Sequence, residues 1–173
     1  VARRRGQRRL RVLELDGNDS HLELPPNIFN DLTEATVEGW IKWASLRSWS
    51  RFFDFGKVWQ AMAVTHVAAR PDLQFELWAP ANQQHRILVP GFLRTNQWCH
   101  LAAVSGRSGM KLYFNGVLVG ADPFKGSFAA VKSGERNYFG RNNWRGVGVA
   151  TEDFHGQMDE IRIWNTARTE SQI

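Results

Sequence analysis

Short runs of alternating polar and apolar residues, separated by turn residues, follow one another along this chain of 173 residues. Alternation with a period of two is typical of strands, and turn residues at such short intervals are typical of all-β proteins. The clearest turn is Asn115-Gly116, between the runs 111–114 and 117–119. Asn-Gly adopts the positive φ angles of a tight turn at little cost, so the sequence predicts a β-hairpin here.

No recurring amphipathic helix lies between the predicted strands. The only helical signal follows the last run, where Thr166 or Thr169 could cap a turn. Short strands of this kind bury their apolar faces by packing one sheet against another. We therefore predict an all-β fold, a two-sheet antiparallel β-sandwich that ends in a short C-terminal helical turn.

Charge divides the chain into two parts. The formal net charge is +5, but residues 1–11 hold six arginines and no acid, so the rest of the chain is nearly neutral. We predict a disordered basic arm or linker over residues 1–11 and one domain over residues 12–173. No aromatic residue is interleaved with these arginines, so we expect no nucleic-acid partner. Cys99 is the only cysteine, which excludes an internal disulfide.

Several short sequence motifs, taken together and in the same order along the chain, resemble those of one known family. They are residues 13–25, 35–42, 97–102, 111–116, 139–141 and 156–165. The last phrase, Gly-Gln-Met-Asp-Glu-Ile-Arg-Ile-Trp-Asn, resembles the closing strand of the laminin-G-like, concanavalin A-like lectin/glucanase jelly rolls, in their pentraxin-like branch. The resemblance implies a jelly-roll sandwich over about residues 12–168. It also implies a domain that binds glycans or proteins, often with calcium.

The resemblance further implies a metal site. In this family the aspartates of the opening Asp-Gly motif and the closing Asp-Glu motif often approach one metal, and here these are Asp16 and Asp159. The first and last strands of a jelly roll commonly lie side by side, so the resemblance also implies that the first and last strands of this chain are neighbours. Ca²⁺ prefers carboxylate, carbonyl and water oxygens, so both aspartates are candidate calcium ligands. The alternative is ordinary turn chemistry, in which Asp side chains bond their own backbone and Glu160 pairs with Arg162.

One candidate glycan platform lies on the predicted strand 73–78. Alternation places Gln74, Glu76 and Trp78 together on one face of this strand. The Trp78 indole could stack against a sugar ring while its neighbours bond the hydroxyl groups. The alternative is that Trp78 packs under a loop or at the rim of a sheet, as many large aromatic side chains do.

A second candidate lies in the longest irregular stretch, residues 141–153. Arg141, Asn142, Asn143 and Trp144 combine donors for hydroxyl or acid groups with an indole for stacking. Long loops in compact domains often carry function. The alternative is that Trp144 only pins the loop to the sandwich.

Catalytic residues are not apparent. Retaining glycosidases need two carboxyl groups about 5 Å apart, whereas the adjacent Asp159 and Glu160 would point to opposite faces of a regular strand. We therefore predict a non-catalytic module of a larger protein that binds carbohydrate, with calcium as a candidate cofactor. The alternative is a structural, protein-interaction or sensor domain with no small-molecule site.

The expected partner is a glycan or an extracellular protein. The expected location is extracellular, cell-surface or periplasmic. Any membrane association is expected to run through the parent protein, because no apolar run approaches the ~20 residues that span a bilayer.

Overall fold

The computed structural model describes residues 12–173, which form two six-stranded antiparallel sheets. In chain order the strands are β1 (Leu13–Asp16), β2 (Leu22–Leu24), β3 (Ala35–Trp43), β4 (Arg51–Lys57), β5 (Gln60–His66), β6 (Leu73–Ala79), β7 (Gln83–Val89), β8 (Cys99–Ser105), β9 (Met110–Phe114), β10 (Val117–Asp122), β11 (Arg136–Phe139) and β12 (His155–Trp164). This architecture confirms the predicted all-β sandwich. The predicted basic arm, residues 1–11, lies outside the described residues.

Each of the two sheets combines strands that are far apart in the described part of the chain. Sheet A has the order β1-β12-β3-β8-β9-β10, and sheet B has the order β2-β11-β4-β5-β6-β7. Every strand pair is antiparallel. The opening strand pairs with the closing one, Leu13 opposite Met158 and Asp16 opposite His155, so the prediction that the first and last strands are neighbours is confirmed.

The core lies between the inner faces of the two sheets. On β6, Leu73, Phe75 and Leu77 are fully buried in the core, as the period of two predicts. Aromatic rings fill much of the space. The largest fully buried rings belong to Trp43, Phe52, Phe53, Phe55, Phe75, Phe139 and Phe154. Full burial of a phenylalanine side chain stabilises a fold by roughly 1.5–3 kcal/mol, so these rings supply a large share of the driving force.

The predicted hairpin and the predicted C-terminal helical turn are both present, and the structure also contains one short helix that was not predicted. Asn115 and Gly116 have φ angles of 50° and 79° and join β9 to β10, which confirms the hairpin. Thr169 starts a 3₁₀ turn, Glu170–Gln172, through a capping box, so the predicted C-terminal helical turn is also present. A short helix, α1 (Phe128–Val131), was not predicted, because a single turn of four residues shows no helical periodicity. Among residues 12–173, no helix is long and apolar enough to cross a bilayer.

Candidate ligand-binding site

The outer face of sheet B carries a buried polar cluster around Glu76 on β6. One carboxylate oxygen, Oε1, accepts a hydrogen bond from Arg51 Nη1 at 2.6 Å. The other oxygen, Oε2, accepts from Gln74 Nε2 at 2.9 Å, and from Trp78 Nε1 and Gln84 Nε2 at 3.0 Å each. Both oxygens of Glu76 are therefore occupied by protein donors, which is how a buried carboxylate is normally accommodated.

A second buried carboxylate, Asp54 on β4, extends this cluster towards the loop 141–153. Its Oδ2 lies 3.4 Å from Arg51 Nε, so a single guanidinium serves both Asp54 and Glu76. Burial raises the pKa of Asp54, and the Arg51 charge opposes that rise. The backbone N–H of Asn143 donates to Asp54 Oδ2 at 3.1 Å, which attaches the loop to the sheet.

Next to this buried polar cluster, three indoles from separate parts of the chain meet. The ring centroids of Trp59 and Trp144 are 4.6 Å apart, those of Trp59 and Trp78 are 4.9 Å apart, and those of Trp78 and Trp144 are 5.6 Å apart. Their mostly edge-to-face arrangement is a favourable one for aromatic pairs. Trp59 remains 45% exposed, whereas Trp144 is only 8% exposed.

These indoles form the wall of a cavity of about 210 Å³, here called the tryptophan pocket. Arg51 and Glu76 form its floor, and Arg86 on β7 and Thr151 in the loop also line it. Because Glu76 is saturated with hydrogen bonds, the surface offered to a ligand consists mainly of indole faces. Arg86 is exposed and forms no ion pair with any residue between 12 and 173, so its guanidinium is available as a donor.

The predicted site residues of the loop are divided between two places. Trp144 joins Trp78 in the tryptophan pocket. The amides of Asn142 and Asn143 are buried and bond within the protein. Asn142 Nδ2 donates to the Trp49 carbonyl at 3.2 Å, and Asn143 Nδ2 donates to the Asp54 carbonyl at 3.1 Å.

Arg141 lies apart from the pocket, in an ionic cluster that fixes the loop. Its guanidinium pairs with Asp19, and Arg145 Nη2 lies 2.7 Å from Asp153 Oδ2. The backbone N–H of Asp19 also donates to Asp153 Oδ2, at 3.1 Å. Asp153 is buried. This cluster joins the start and the end of the loop to the turn after β1 and so sets the position from which Trp144 reaches the pocket.

Sequence reasoning missed Trp59 and Trp49, which complete the pocket. Trp59 lies in the two-residue turn between β4 and β5, with a φ angle of 65°, and Trp49 precedes β4 with a φ angle of 55°. Positive φ is uncommon for a bulky residue. A tryptophan in a tight turn is a sequence signal for an exposed stacking surface, because its indole has no strand face on which to be buried.

The register separates the two predicted calcium ligands. Asp16 faces His155, and Asp159 follows four residues later on β12, which is about 13 Å along a strand. Asp16 instead accepts hydrogen bonds from Ser20 Oγ at 2.6 Å and from the Asn18 N–H at 2.8 Å. The Ser20 bond is the main cause of its lowered pKa.

Glu160 forms an ion pair with Arg162, which is what the alternative to a calcium site predicted. Among residues 12–173, no group of three or more His, Cys, Asp or Glu side chains is placed to hold a metal ion. The calcium site stays a prediction, and this geometry does not favour it.

Comparison with known proteins identifies the fold independently. The profile of the concanavalin A-like lectin/glucanases superfamily matches residues 16–173. No curated protein matches the chain by sequence.

Solved structures with a similar fold include modules with bound sugars. The CBM40 domain of the Ruminococcus gnavus IT-sialidase, bound to α2,3-sialyllactose, is 12% identical with a TM-score of 0.69, over 92% of this chain and 95% of that one. Domain 4 of an extracellular GH43 arabinanase from Geobacillus stearothermophilus, in complex with arabinotriose, is 23% identical with a TM-score of 0.65, over 93% and 73%. A SAP-like pentraxin from Limulus polyphemus is 21% identical with a TM-score of 0.60, over 87% and 70%. These matches confirm the predicted jelly roll.

Proposed function

Because the chain belongs to the concanavalin A-like lectin/glucanase superfamily, we propose that it is a non-catalytic module that binds a glycan in the tryptophan pocket. The observation that carries this proposal is the convergence of Trp59, Trp78 and Trp144 above a polar floor. Sugar rings present apolar C–H faces that pack on indoles, and a few placed polar groups then select the orientation. Similar modules with bound sialyllactose and arabinotriose support the proposal.

The chemistry of the pocket favours binding over catalysis. Glu76 is the one carboxylate that lines the pocket within the described part of the chain, and protein donors occupy both of its oxygens. Glycoside hydrolysis by the usual route needs a pair of carboxyl groups flanking the bond that is cleaved.

In a sandwich of this kind, the expected place for the module is the extracellular or cell-surface part of a larger protein.

A glycan array, followed by calorimetric titration of each positive sugar, tests the proposal. Trp59→Ala removes an exposed stacking face and should abolish measurable binding, while its melting temperature stays close to that of the wild type. Phe92→Ala is the matched control, since Phe92 is also an exposed aromatic residue, at 39%, and it contacts Phe114 outside the pocket. This control should bind like the wild type.

Two results would contradict the proposal. One is binding that survives Trp59→Ala unchanged, which would place the ligand elsewhere. The other is an array on which no glycan binds, which would favour a protein-interaction domain. Repeating the array with Ca²⁺ and with a chelator tests the calcium prediction, since a calcium-supported site would lose binding in the chelator.

A further inference from the structure

The tryptophan pocket contains a charged group to which the proposed function assigns no role. The charged residues that line the pocket are Arg51, Glu76 and Arg86. Arg51 and Glu76 are both buried and pair with each other at 2.6 Å. Arg86 on β7 is exposed. Its guanidinium is therefore the charge in this pocket that a ligand can reach.

Strand pairing fixes the position of Arg86. It lies directly opposite Glu76 in the β6–β7 pair, so its side chain emerges on the face of sheet B that carries the pocket. This register would favour an ion pair between the two residues. Protein donors already occupy both oxygens of Glu76, however, and Arg86 is not among them.

Arg86 also lacks a counter-ion elsewhere in its own chain. Among residues 12–173 it forms no ion pair. Residues 1–11 contain no Asp or Glu that could supply one. The pocket thus presents an unneutralised positive charge beside its stacking surface.

The surroundings of this guanidinium favour an anionic ligand. The three indoles shield one side of the pocket from water, and a charge pair beside apolar surface is screened less than a pair in open solvent. A carboxylate matches the guanidinium fork with two parallel hydrogen bonds, which are stronger than bonds between neutral groups. A neutral sugar offers only hydroxyl oxygens to the same group.

The buried acids behind the pocket do not cancel this preference. Asp54 and Glu76 share the charge of Arg51, and their side chains are 0% and 5% exposed. Burial raises the pKa of Asp54, which favours its neutral form. A ligand carboxylate at Arg86 would lie on the solvent side of both acids. An amino sugar would instead place a second positive charge next to Arg86.

We propose that the tryptophan pocket selects an acidic sugar, whose carboxylate pairs with Arg86 while its ring packs on the indole of Trp59. This inference rests on the proposed function, since it names the class of glycan that the same pocket takes. Hexuronates and sialic acids both carry such a carboxylate, and separate probes distinguish these two sources.

Calorimetric titration of the wild-type chain compares each acidic sugar with a neutral counterpart. Trigalacturonate is compared with its methyl ester, which keeps the rings and removes the charge, and sialyllactose is compared with lactose. At least one acidic sugar should bind about tenfold more tightly than its counterpart. This advantage should shrink as NaCl rises from about 20 to about 500 mM, because salt screens the ion pair more than the stacking.

Arg86→Gln removes the charge and should lower the affinity for the acidic sugar about tenfold, to that of its neutral counterpart. Its affinity for the neutral sugar should stay within about twofold of the wild-type value. Arg107→Gln is the matched control for the loss of one positive charge. Arg107 is an exposed arginine in the β8–β9 turn of sheet A, and no residue of the described part of the chain forms an ion pair with it. This control should bind the acidic sugar like the wild type.

Two results would overturn the inference and leave the proposed function in place. One is a neutral counterpart that binds as tightly as its acidic sugar in both comparisons. The other is an affinity for the acidic sugar that Arg86→Gln leaves unchanged while Trp59→Ala abolishes it. A protein that binds none of these sugars and no glycan on the array would contradict the proposed function itself.

Discussion

Trp59 and Trp144 lie in the same pocket but differ in exposure, and so they should differ in mutant behaviour. Trp144→Ala removes an indole that is only 8% exposed, and truncation of a buried Trp typically costs about 3–5 kcal/mol. Trp59→Ala removes a side chain that is 45% exposed and should cost much less. Chemical denaturation of both variants measures the difference. Equal losses of unfolding free energy in the two variants would mean that the packing of Trp59 also stabilises the fold.

Asn143 was a predicted ligand contact, and its hydrogen bonds now predict a structural role as well. Its side-chain amide donates to the Asp54 carbonyl at 3.1 Å and to Asp54 Oδ1 at 3.2 Å. Asn143→Ala leaves these buried acceptors with fewer donors and should lower the unfolding free energy by about 1–3 kcal/mol. Val147→Ala is the comparison from the same loop. Its side chain is 47% exposed, so its truncation should lower the unfolding free energy less.

His66 should make stability depend on pH. It is fully buried, its Nε2 bonds Ser50 Oγ at 2.8 Å, and burial is the main cause that lowers its pKa from 6.5 to about 4. The unfolded chain therefore takes up a proton near pH 6.5, and the folded protein does so only near pH 4. The contribution of neutral His66 to the free energy of unfolding is therefore fully present above pH 6.5. It decreases by roughly 3 kcal/mol as the pH drops to about 4.

The variant His66→Gln isolates this contribution, because glutamine can bond Ser50 but does not titrate. Between pH 7 and pH 4 the melting temperature of the wild type should fall by more than that of the variant. Parallel curves for the two proteins would show that His66 is not the source of the dependence.

At the scale of elements, the β9–β10 hairpin depends on the positive φ angles of its two-residue turn. Gly116 has a φ angle of 79°, and a Cβ added there would meet no other atom within 4 Å. Gly116→Ala would therefore cost only backbone strain, about 1–2 kcal/mol for an L-residue in the left-handed region. The control is Asn115→Asp, which tolerates positive φ and keeps the Oδ1 that accepts from the His100 N–H. An alanine variant as stable as the control would contradict this account.

The molecule as a whole should fold without its basic arm. The superfamily match starts at residue 16, and residues 12–173 by themselves form two six-stranded sheets. A protein lacking residues 1–11 should therefore melt at the same temperature as the full chain, measured by circular dichroism. A large loss of stability would show that the arm contributes a strand or a clamp.

The sequence by itself determined the strands, their faces and the family. Alternation on β6 predicted that Gln74, Glu76 and Trp78 share one face, and the opposite face is buried in the core. Asn115-Gly116 likewise predicted a hairpin. These features depend on neighbours in the chain, because the side-chain period and the φ preferences are local properties. The ordered phrases likewise predicted that β1 and β12 would pair.

Only the tertiary structure decided which side chains meet. Trp59, Trp78 and Trp144 are far apart in the chain, and strand order together with the Arg145–Asp153 ion pair brings them into one pocket. The strand register likewise separated Asp16 from Asp159. Register and loop position are set by long-range packing, and a shift of one residue reverses every side chain on a strand. Local patterns therefore identify candidate residues, whereas the packed sheets assemble them into a site.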